Sequence, residues 1–167
     1  MSLEPVTADD LDAVMRIERR PEYALFIGSF ERARHEANLA DPDWRYLAWR
    51  EDGRLAAFAL LNRMTDPGRI RRAHRIAADQ PGRGLGRRFL PALIDWVFAG
   101  TDVHRLELDC SVENPRALRA YAREGFVREG VVRDVYRTPE DRYVSSALLS
   151  MLRPEWEALR ASGPPSA

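Results

Sequence analysis

The feature that most constrains the fold is a glycine-rich turn in the middle of the chain, between a predicted strand and a predicted helix. The turn reads Asp-Gln-Pro-Gly-Arg-Gly-Leu-Gly over residues 79–86. The preceding segment, Ile70–Ala78, has the pattern of a strand. In the following segment, residues 85–98, apolar residues recur every four positions, which predicts an amphipathic helix despite Pro91. A further predicted strand at 105–110 completes a β-turn-helix-β unit.

The remaining elements predict an α+β chain with one domain over residues 1–160 and a flexible tail over 161–167. Asp52-Gly53 is a two-residue hairpin turn. Asn114 and Pro115 suit the N-cap and first position of a helix, and Gly125 suits its end. The other predicted strands are 3–7, 44–49, 55–61, 131–137 and 143–152, and the other predicted helices are 9–18, 23–39 and 154–161.

The charge composition narrows the classes of function. All 26 basic residues are arginine, and they balance 26 acidic residues, so the chain has no general attraction to nucleic acid or anionic lipid. The absence of lysine excludes a Walker-type phosphate loop and Schiff-base chemistry. The chain has one cysteine, Cys110, no long apolar run and no signal-like N-terminus, which together predict a cytoplasmic protein without a membrane span.

The glycine-rich turn has the chemistry of an anion site. Its alternating glycines let the backbone approach a ligand and leave amide groups pointing at it. The start of the helix adds partial positive charge, and three arginines add full charges, which favours phosphate or pyrophosphate. A tight turn without a ligand is the alternative, and a dinucleotide fingerprint is disfavoured because its third glycine is missing. The residues concerned are Gly82, Arg83, Gly84, Leu85, Gly86, Arg87 and Arg88.

A second motif reads Asn-x-x-Ala-x-x-x-Tyr-x-x-x-Gly-Phe from Asn114 to Phe126. Helical spacing places Tyr121 on the same face as small neighbours, so that it points inward. A buried tyrosine needs a partner for its hydroxyl group. Taken singly, Tyr121 could be a core residue and Asn114 only an N-cap.

The two motifs together resemble those of the GNAT superfamily of acetyl-CoA-dependent N-acetyltransferases. That family carries [Arg/Gln]-x-x-Gly-x-[Gly/Ala] before its third helix; Gly84 and Gly86 match the small positions, whereas Pro81 departs from the first, with Gln80 beside it. The resemblance implies the GNAT fold, a mixed, mostly antiparallel sheet with flanking helices. The stretches 128–130 and 151–156, with Arg133 and Tyr143, are similar to the ribosomal-protein N-terminal (alanine/serine) acetyltransferase branch.

The resemblance also implies roles for individual residues. Tyr121 would be the general acid that protonates the departing thiolate, and Asn114 would bind the pantetheine arm. The turn described above would hold the CoA pyrophosphate. The end of the preceding strand would bind pantetheine like an added strand, and a backbone N–H near 77–78 would stabilise the oxyanion. These strand residues are Ile76, Ala77 and Ala78.

The acceptor side is less defined. Many relatives use a glutamate on the fourth strand, where this chain has Arg72 and His74. His74 is the predicted general base because imidazole titrates near neutrality, with Glu113 or ordered water as alternatives. Cys110 lies on an apolar strand face, so a covalent cysteine route is disfavoured. The acceptor pocket is expected between residues 21–42 and the closing hairpin, where Phe26, Phe30, Trp44 and Tyr136 are candidate lining residues.

Competing classes of function stay open at this point. A catalytically silent acyl-CoA-binding module would fit the missing acidic base. Nucleic-acid binding through the arginines is disfavoured because acidic residues are interleaved with them. The resemblance implies acetyl-CoA as co-substrate without a metal, and a small-molecule amine or a protein or peptide N-terminus as acceptor. It implies neither a membrane nor a nucleic-acid partner, and a homodimer is a family-level expectation.

Overall fold

A computed structural model describes residues 3–138 and 140–162 of the chain. Within them one sheet contains the strands β1 (Leu3–Pro5), β2 (Arg45–Glu51), β3 (Arg54–Asn62), β4 (Ile70–Ala78), β5 (Arg105–Ser111), β6 (Val127–Arg137) and β7 (Tyr143–Leu152). The α-helices are α1 (Leu11–Glu18), α2 (Arg32–Ala40), α3 (Gly86–Ala99), α4 (Pro115–Arg123) and α5 (Arg153–Ala161). The strand order is β1-β2-β3-β4-β5-β7-β6, and only β4 and β5 are parallel among these neighbours. The predicted α+β fold with a mixed, mostly antiparallel sheet is confirmed.

The sheet separates two apolar cores because successive side chains of a strand point to opposite faces. On one face, called the α3 face, Leu47, Ala59 and Leu108 pack with α3, and α4 lies against the same cluster. On the other, called the α1 face, Phe58 and Leu60 pack with α1. The helices therefore cover the sheet from both sides, and a ligand can reach its middle only where two strands separate.

A β-bulge in β4 changes which side chains share a face. Leu61 pairs with Ala73 and Leu60 with Arg75, so His74 is one residue more than the pairing with β3 requires. Ala73 accordingly packs on the α3 face, whereas Ala77, four residues later, packs on the α1 face. As expected for a bulge, His74 and Arg75 point to the same side, the α1 face.

One predicted helix is wrong over much of its length. Instead of a helix over 23–39, the chain forms a short 3-10 turn at Pro21–Tyr23, an irregular segment and then α2 from Arg32. The reason is tertiary, since the backbone amide of Phe30 donates to the buried Glu18 carboxylate at 2.9 Å. Gly28 lies within this segment, where it also weakens helix formation.

The other predicted elements agree with the structure within a few residues at each end. The hairpin turn has positive φ at both central residues, 49° at Asp52 and 74° at Gly53. The tail predicted over 161–167 overlaps α5 at Ala161, and its residues 163–167 lie outside the described part, so the division at residue 160 stays a prediction. Among the described residues, none of the helices has the length and apolarity that a membrane crossing requires.

Candidate active site

The sheet opens between β4 and β5, and this gap is the candidate site. The two strands pair only where residues 70–72 meet residues 105–107, and then they diverge. A cavity of about 690 Å³ occupies the gap and reaches both faces of the sheet. On the α3 face it is lined by Leu90 and Tyr121, and on the α1 face by His74 and Asp109. Its volume lies within the range typical of small-molecule sites.

The glycine-rich turn forms one end of this cavity. Gly82 and Gly84 have φ of 91° and 78°, values that strain any residue with a side chain. A Cβ added at Gly84 or Gly86 would meet no atom within 4 Å, so the space beside the turn is open. The turn leads directly into α3, whose first amide groups carry the partial positive charge of the helix. The turn therefore has a shape and polarity that would suit an anion, and the anion site itself stays a prediction.

The arginines around the turn divide into two groups. Arg87 lines the cavity, and its guanidinium has no ion-pair partner among residues 3–138 and 140–162. Arg88 is paired with Glu51, and neither it nor Arg83 is among the lining residues. Arg116 was missed by the sequence analysis: it lines the cavity from α4, and its Nη1 is 3.8 Å from a Cβ placed on Gly82. The turn thus faces guanidinium groups from two helices.

The end of β4 presents backbone groups to the gap. The amide of Asp79 donates to Ala56 on β3, and because amide directions alternate along a strand, those of Ala78 and Ile76 point away from β3. The Tyr23 hydroxyl already donates to the Ala78 carbonyl at 2.9 Å and accepts from its amide at 2.8 Å. Ile76 therefore has the gap-facing backbone groups that the described side chains leave available. Ala77, by the same alternation, points its amide towards β3.

Helix α4 positions Tyr121 on the opposite side of the gap. The helix begins as predicted, with the Asn114 side chain accepting from the Ala117 amide at 3.1 Å. It ends in a Schellman motif, in which the Phe126 amide donates to the Tyr121 carbonyl and Gly125 has a φ of 96°. A Cβ at Gly125 would be 2.5 Å from the Leu159 side chain, so α5 packs directly on this helix end.

The hydroxyl group of Tyr121 lacks a hydrogen-bond partner among the described residues, although the side chain lines the cavity. Its ring packs against Phe126, with centroids 5.8 Å apart. Burial raises the pKa of Tyr121 above its ordinary value, and the neighbouring Cys110 and Asp109 add to that effect. The hydroxyl therefore keeps its proton through the neutral and moderately alkaline range.

His74 faces the cavity from the bulge. Its ring stacks on Phe30 with centroids 5.6 Å apart and meets the edge of Trp44 at 5.1 Å. Partial burial beside these rings, followed by the charges of Arg75 and Arg72, lowers the pKa of His74 to about 4. The imidazole is consequently neutral at physiological pH. It can accept a hydrogen bond, but it is a weak base towards an ammonium group.

Among the lining residues that the structure describes, Asp109 is the acidic one, and the sequence analysis did not single it out. Its carboxylate accepts hydrogen bonds from Arg72, from the Tyr136 hydroxyl and from Ser146, the last at 3.1 Å. Burial and this carboxylate raise the pKa of Tyr136 to about 12. The alternation of β5 did contain a signal, since Glu107 and Asp109 point away from the apolar side chains of that strand. The sequence pattern did not, however, show where β4 and β5 separate.

Two other candidates for proton transfer or covalent chemistry are poorly placed. Glu113 does not line the cavity; it is ion-paired with Arg142, which lowers the pKa of its carboxyl group. Cys110 lines the cavity but is buried, and burial raises the pKa of its thiol to about 11. A thiol that stays protonated is a poor nucleophile. Of the aromatic residues predicted to line the acceptor side, Phe26 and Tyr136 do so, whereas Phe30 and Trp44 support His74.

The cavity thus joins the glycine-rich turn and Tyr121 on the α3 face with Asp109 on the α1 face. The sequence model of the Acetyltransferase (GNAT) family matches residues 11–126. The chain is 33% identical to the N-alpha-acetyltransferase RimI of Mycobacterium tuberculosis, over 80% of this chain and 86% of that protein. This chain therefore belongs to the GNAT acetyltransferase family, and the relative named here is an N-acetyltransferase.

Solved structures share the fold. Spermidine N-acetyltransferase from Vibrio cholerae, in complex with CoA and spermine, superimposes with a TM-score of 0.83 at 19% identity, covering 93% of this chain and 97% of that one. The ribosomal-protein-S18-alanine N-acetyltransferase from Escherichia coli gives 0.75 at 22% identity, covering 90% and 92%. At these identities the likeness concerns the fold alone.

Proposed function

We propose that the protein transfers the acetyl group of acetyl-CoA directly to a primary amine, such as a peptide or protein N-terminus or a small-molecule amine. The observation that carries the proposal is the single cavity through the β4–β5 gap. It connects an anion cradle and Tyr121 on the α3 face with a carboxylate, Asp109, on the α1 face. A donor and an acceptor that enter from opposite faces would meet inside the sheet.

The residues present fit acetyl-CoA as donor. Backbone groups of Gly82, Gly84 and Gly86, with the guanidinium groups of Arg87 and Arg116, would hold its phosphates. Asn114 and the gap-facing backbone of β4 would hold the pantetheine arm. When bound, acetyl-CoA supplies the thioester that the amine attacks. The predicted contacts of Arg83, Leu85, Arg88 and Ala77 stay predictions.

Proton donation and proton acceptance would take place on opposite faces of the sheet. Tyr121 holds a proton for the departing sulfur. The Ile76 amide is the donor placed to stabilise negative charge on the carbonyl oxygen. Asp109 takes the proton of the amine, since a carboxylate has lone pairs beyond those that its three protein partners use. His74, the base predicted from the sequence, would orient the amine by accepting a hydrogen bond from it as a neutral imidazole.

The second candidate function is a catalytically silent acyl-CoA-binding module. It was favoured by the absence of an acid at positions 72 and 74, and Asp109 supplies an acid from the neighbouring strand instead. The experiment that separates the two is thiol release from acetyl-CoA with a panel of amines. Amine-dependent thiol release supports the enzyme, whereas acetyl-CoA binding without turnover on any amine supports the silent module.

A cytoplasmic location and a homodimer also stay proposals. The free thiol of Cys110 fits a reducing compartment. The outer strand β6 exposes apolar side chains, including Val127 and Val131, which fits a surface covered by a second copy. Sedimentation of the purified protein at several concentrations measures its oligomeric state.

Arg116→Met is expected to raise the KM for acetyl-CoA by about tenfold and to change kcat little, because one charge-assisted phosphate contact is lost. Methionine keeps the apolar stem, so the helix packing is preserved. Steady-state kinetics at two salt concentrations measure the effect, which should shrink at high salt. Arg45→Met, on the exposed start of β2, is the matched control. An unchanged KM in the Arg116 variant would contradict the phosphate contact.

Tyr23→Phe is expected to lower the Kd for acetyl-CoA by about fivefold. In the wild type, pantetheine can pair with Ala78 only by replacing the Tyr23 hydroxyl, whereas in the variant both backbone groups are free. Isothermal titration measures the Kd. Tyr46→Phe removes an equally buried hydroxyl, which bonds His35 and Asn38 away from the gap, and should leave Kd unchanged. Weaker binding by the Tyr23 variant would mean that this hydroxyl belongs to the bound state.

A further inference from the structure

The α1-face half of the cavity contains a single carboxylate. Among the described residues that line the cavity, Asp109 is the one acidic side chain. The acids just outside it are already paired, Glu113 with Arg142 and Asp141 with Arg137. Glu18, behind the wall of the cavity, is completely engaged by Arg75 and His35. Among residues 3–138 and 140–162, one ammonium group therefore finds one lining carboxylate, which Arg72 also contacts, and a second ammonium group finds no further one.

Positive charge surrounds the same region. Arg72 bonds Asp109 from β4, and Arg75 lies beside His74 on the bulge. From α2, the guanidinium of Arg34 lies 5.9 Å from the centre of the Phe30 ring that stacks on His74. These three cations, opposed by Asp109, are also the charges that act on His74. Arg72 is paired with Asp109 and Arg75 with Glu18, whereas Arg34 has no ion-pair partner among residues 3–138 and 140–162, so a second ammonium group would meet this uncompensated charge when it leaves water.

Part of the rim of this half is apolar, although Arg137 and Thr138 also line it. Residues 24–28 form one wall, in which Leu25 is 47% exposed and Phe26 is partly buried. Across the opening lies Tyr136, which is 46% exposed and whose hydroxyl is used by Asp109. Large apolar side chains left exposed around a cavity favour an apolar ligand group, because binding removes both surfaces from water.

We infer that the acceptor is an amine with one positive charge, the reacting ammonium group itself, attached to an apolar group. The inference rests on the proposed function and deepens it by naming the substrate class. Asp109 matches the ammonium group, and Leu25, Phe26 and Tyr136 cover the apolar part. The described part of the site lacks the additional carboxylates that polycations such as polyamines and aminoglycosides would need.

The test compares two acceptors of equal length and similar amine chemistry, n-hexylamine and 1,5-diaminopentane. They differ in whether the far end is a methyl or an ammonium group. With the wild-type protein and acetyl-CoA, kcat/KM for the monoamine should exceed that for the diamine by about tenfold or more. Spermidine and kanamycin should rank with the diamine. Equal or better use of the diamine would overturn the inference while leaving the proposed function intact.

A charge placed on the rim provides the complementary measurement. Leu25→Asp should raise kcat/KM for the diamine and lower it for the monoamine, because it supplies the missing carboxylate. Leu25→Asn is the matched control, since it removes the apolar surface without adding charge, and it should lower the monoamine value alone. If both variants change the diamine value equally, charge does not set the selectivity and the inference fails. If no amine is acetylated although acetyl-CoA binds, the proposed function fails as well.

Discussion

Replacement of Tyr121 by phenylalanine is expected to lower kcat by about 100- to 1000-fold, the usual contribution of a positioned proton donor. The KM for acetyl-CoA should change little, because the ring remains packed on Phe126. Stability should also be retained, since the hydroxyl has no partner among the described residues and its loss leaves no buried group unsatisfied. Thiol release under saturating substrates measures kcat, and thermal unfolding checks the fold.

The control for this experiment is Tyr143→Phe, which removes a hydroxyl from an exposed side chain outside the cavity. It should leave kcat at the wild-type level. A Tyr121 variant with wild-type kcat would show that the thiolate leaves without this proton. The raised pKa of Tyr121 adds a second check, since loss of its proton should not limit the rate in the pH range where the protein is studied.

Asp109→Asn is expected to lower kcat/KM by about 100-fold or more, because the amine loses its proton acceptor. Asparagine keeps the shape and one acceptor oxygen, so Tyr136 and Ser146 retain a neighbour. His74→Gln should cost less than about tenfold, because the imidazole, whose pKa is lowered to about 4, is neutral and lacks the negative charge with which Asp109 would attract the ammonium group. The reverse ranking of these two variants would restore His74 as the base.

The pH profile gives an independent measurement of the same point. An imidazole whose pKa is lowered stays neutral until the pH falls through about 4, so His74 should add no inflection in kcat/KM above pH 5. Between pH 6 and 8 an alkylamine stays almost entirely an ammonium ion, the form that the site is proposed to bind, so kcat/KM should stay nearly constant. An inflection near pH 6.5 that disappears in the His74→Gln variant would contradict this assignment.

Local chemistry explains which parts of the site the sequence could predict. The glycine turn, the Asn114 cap and the Gly125 end each depend on residues within one turn of chain, and each has the predicted conformation. The motif spacing then placed Tyr121 on the correct face of α4. These signals concern the half of the site beside the glycine-rich turn, where the motifs that resemble the family lie.

The acceptor half depends on contacts between distant segments, and there the sequence was less informative. Residues 24–31 leave the predicted helix because Glu18 and Arg75 engage Phe30, a contact that no local pattern contains. Asp109 lines the cavity only because β5 has separated from β4 at this point. Likewise, the approach of Arg116 to Gly82 joins two elements more than thirty residues apart in the chain.

The bulge at His74 means that β4 has one residue more than its pairing requires. Deleting that residue would leave Ala73 and Arg75 on their present faces, because regular alternation would then apply across the join. Both cores would therefore tolerate the shorter strand, and the deletion would remove His74 without turning any other side chain. The pairing of β4 with β3 thus does not require His74. The extra residue instead contributes a side chain to the gap between β4 and β5.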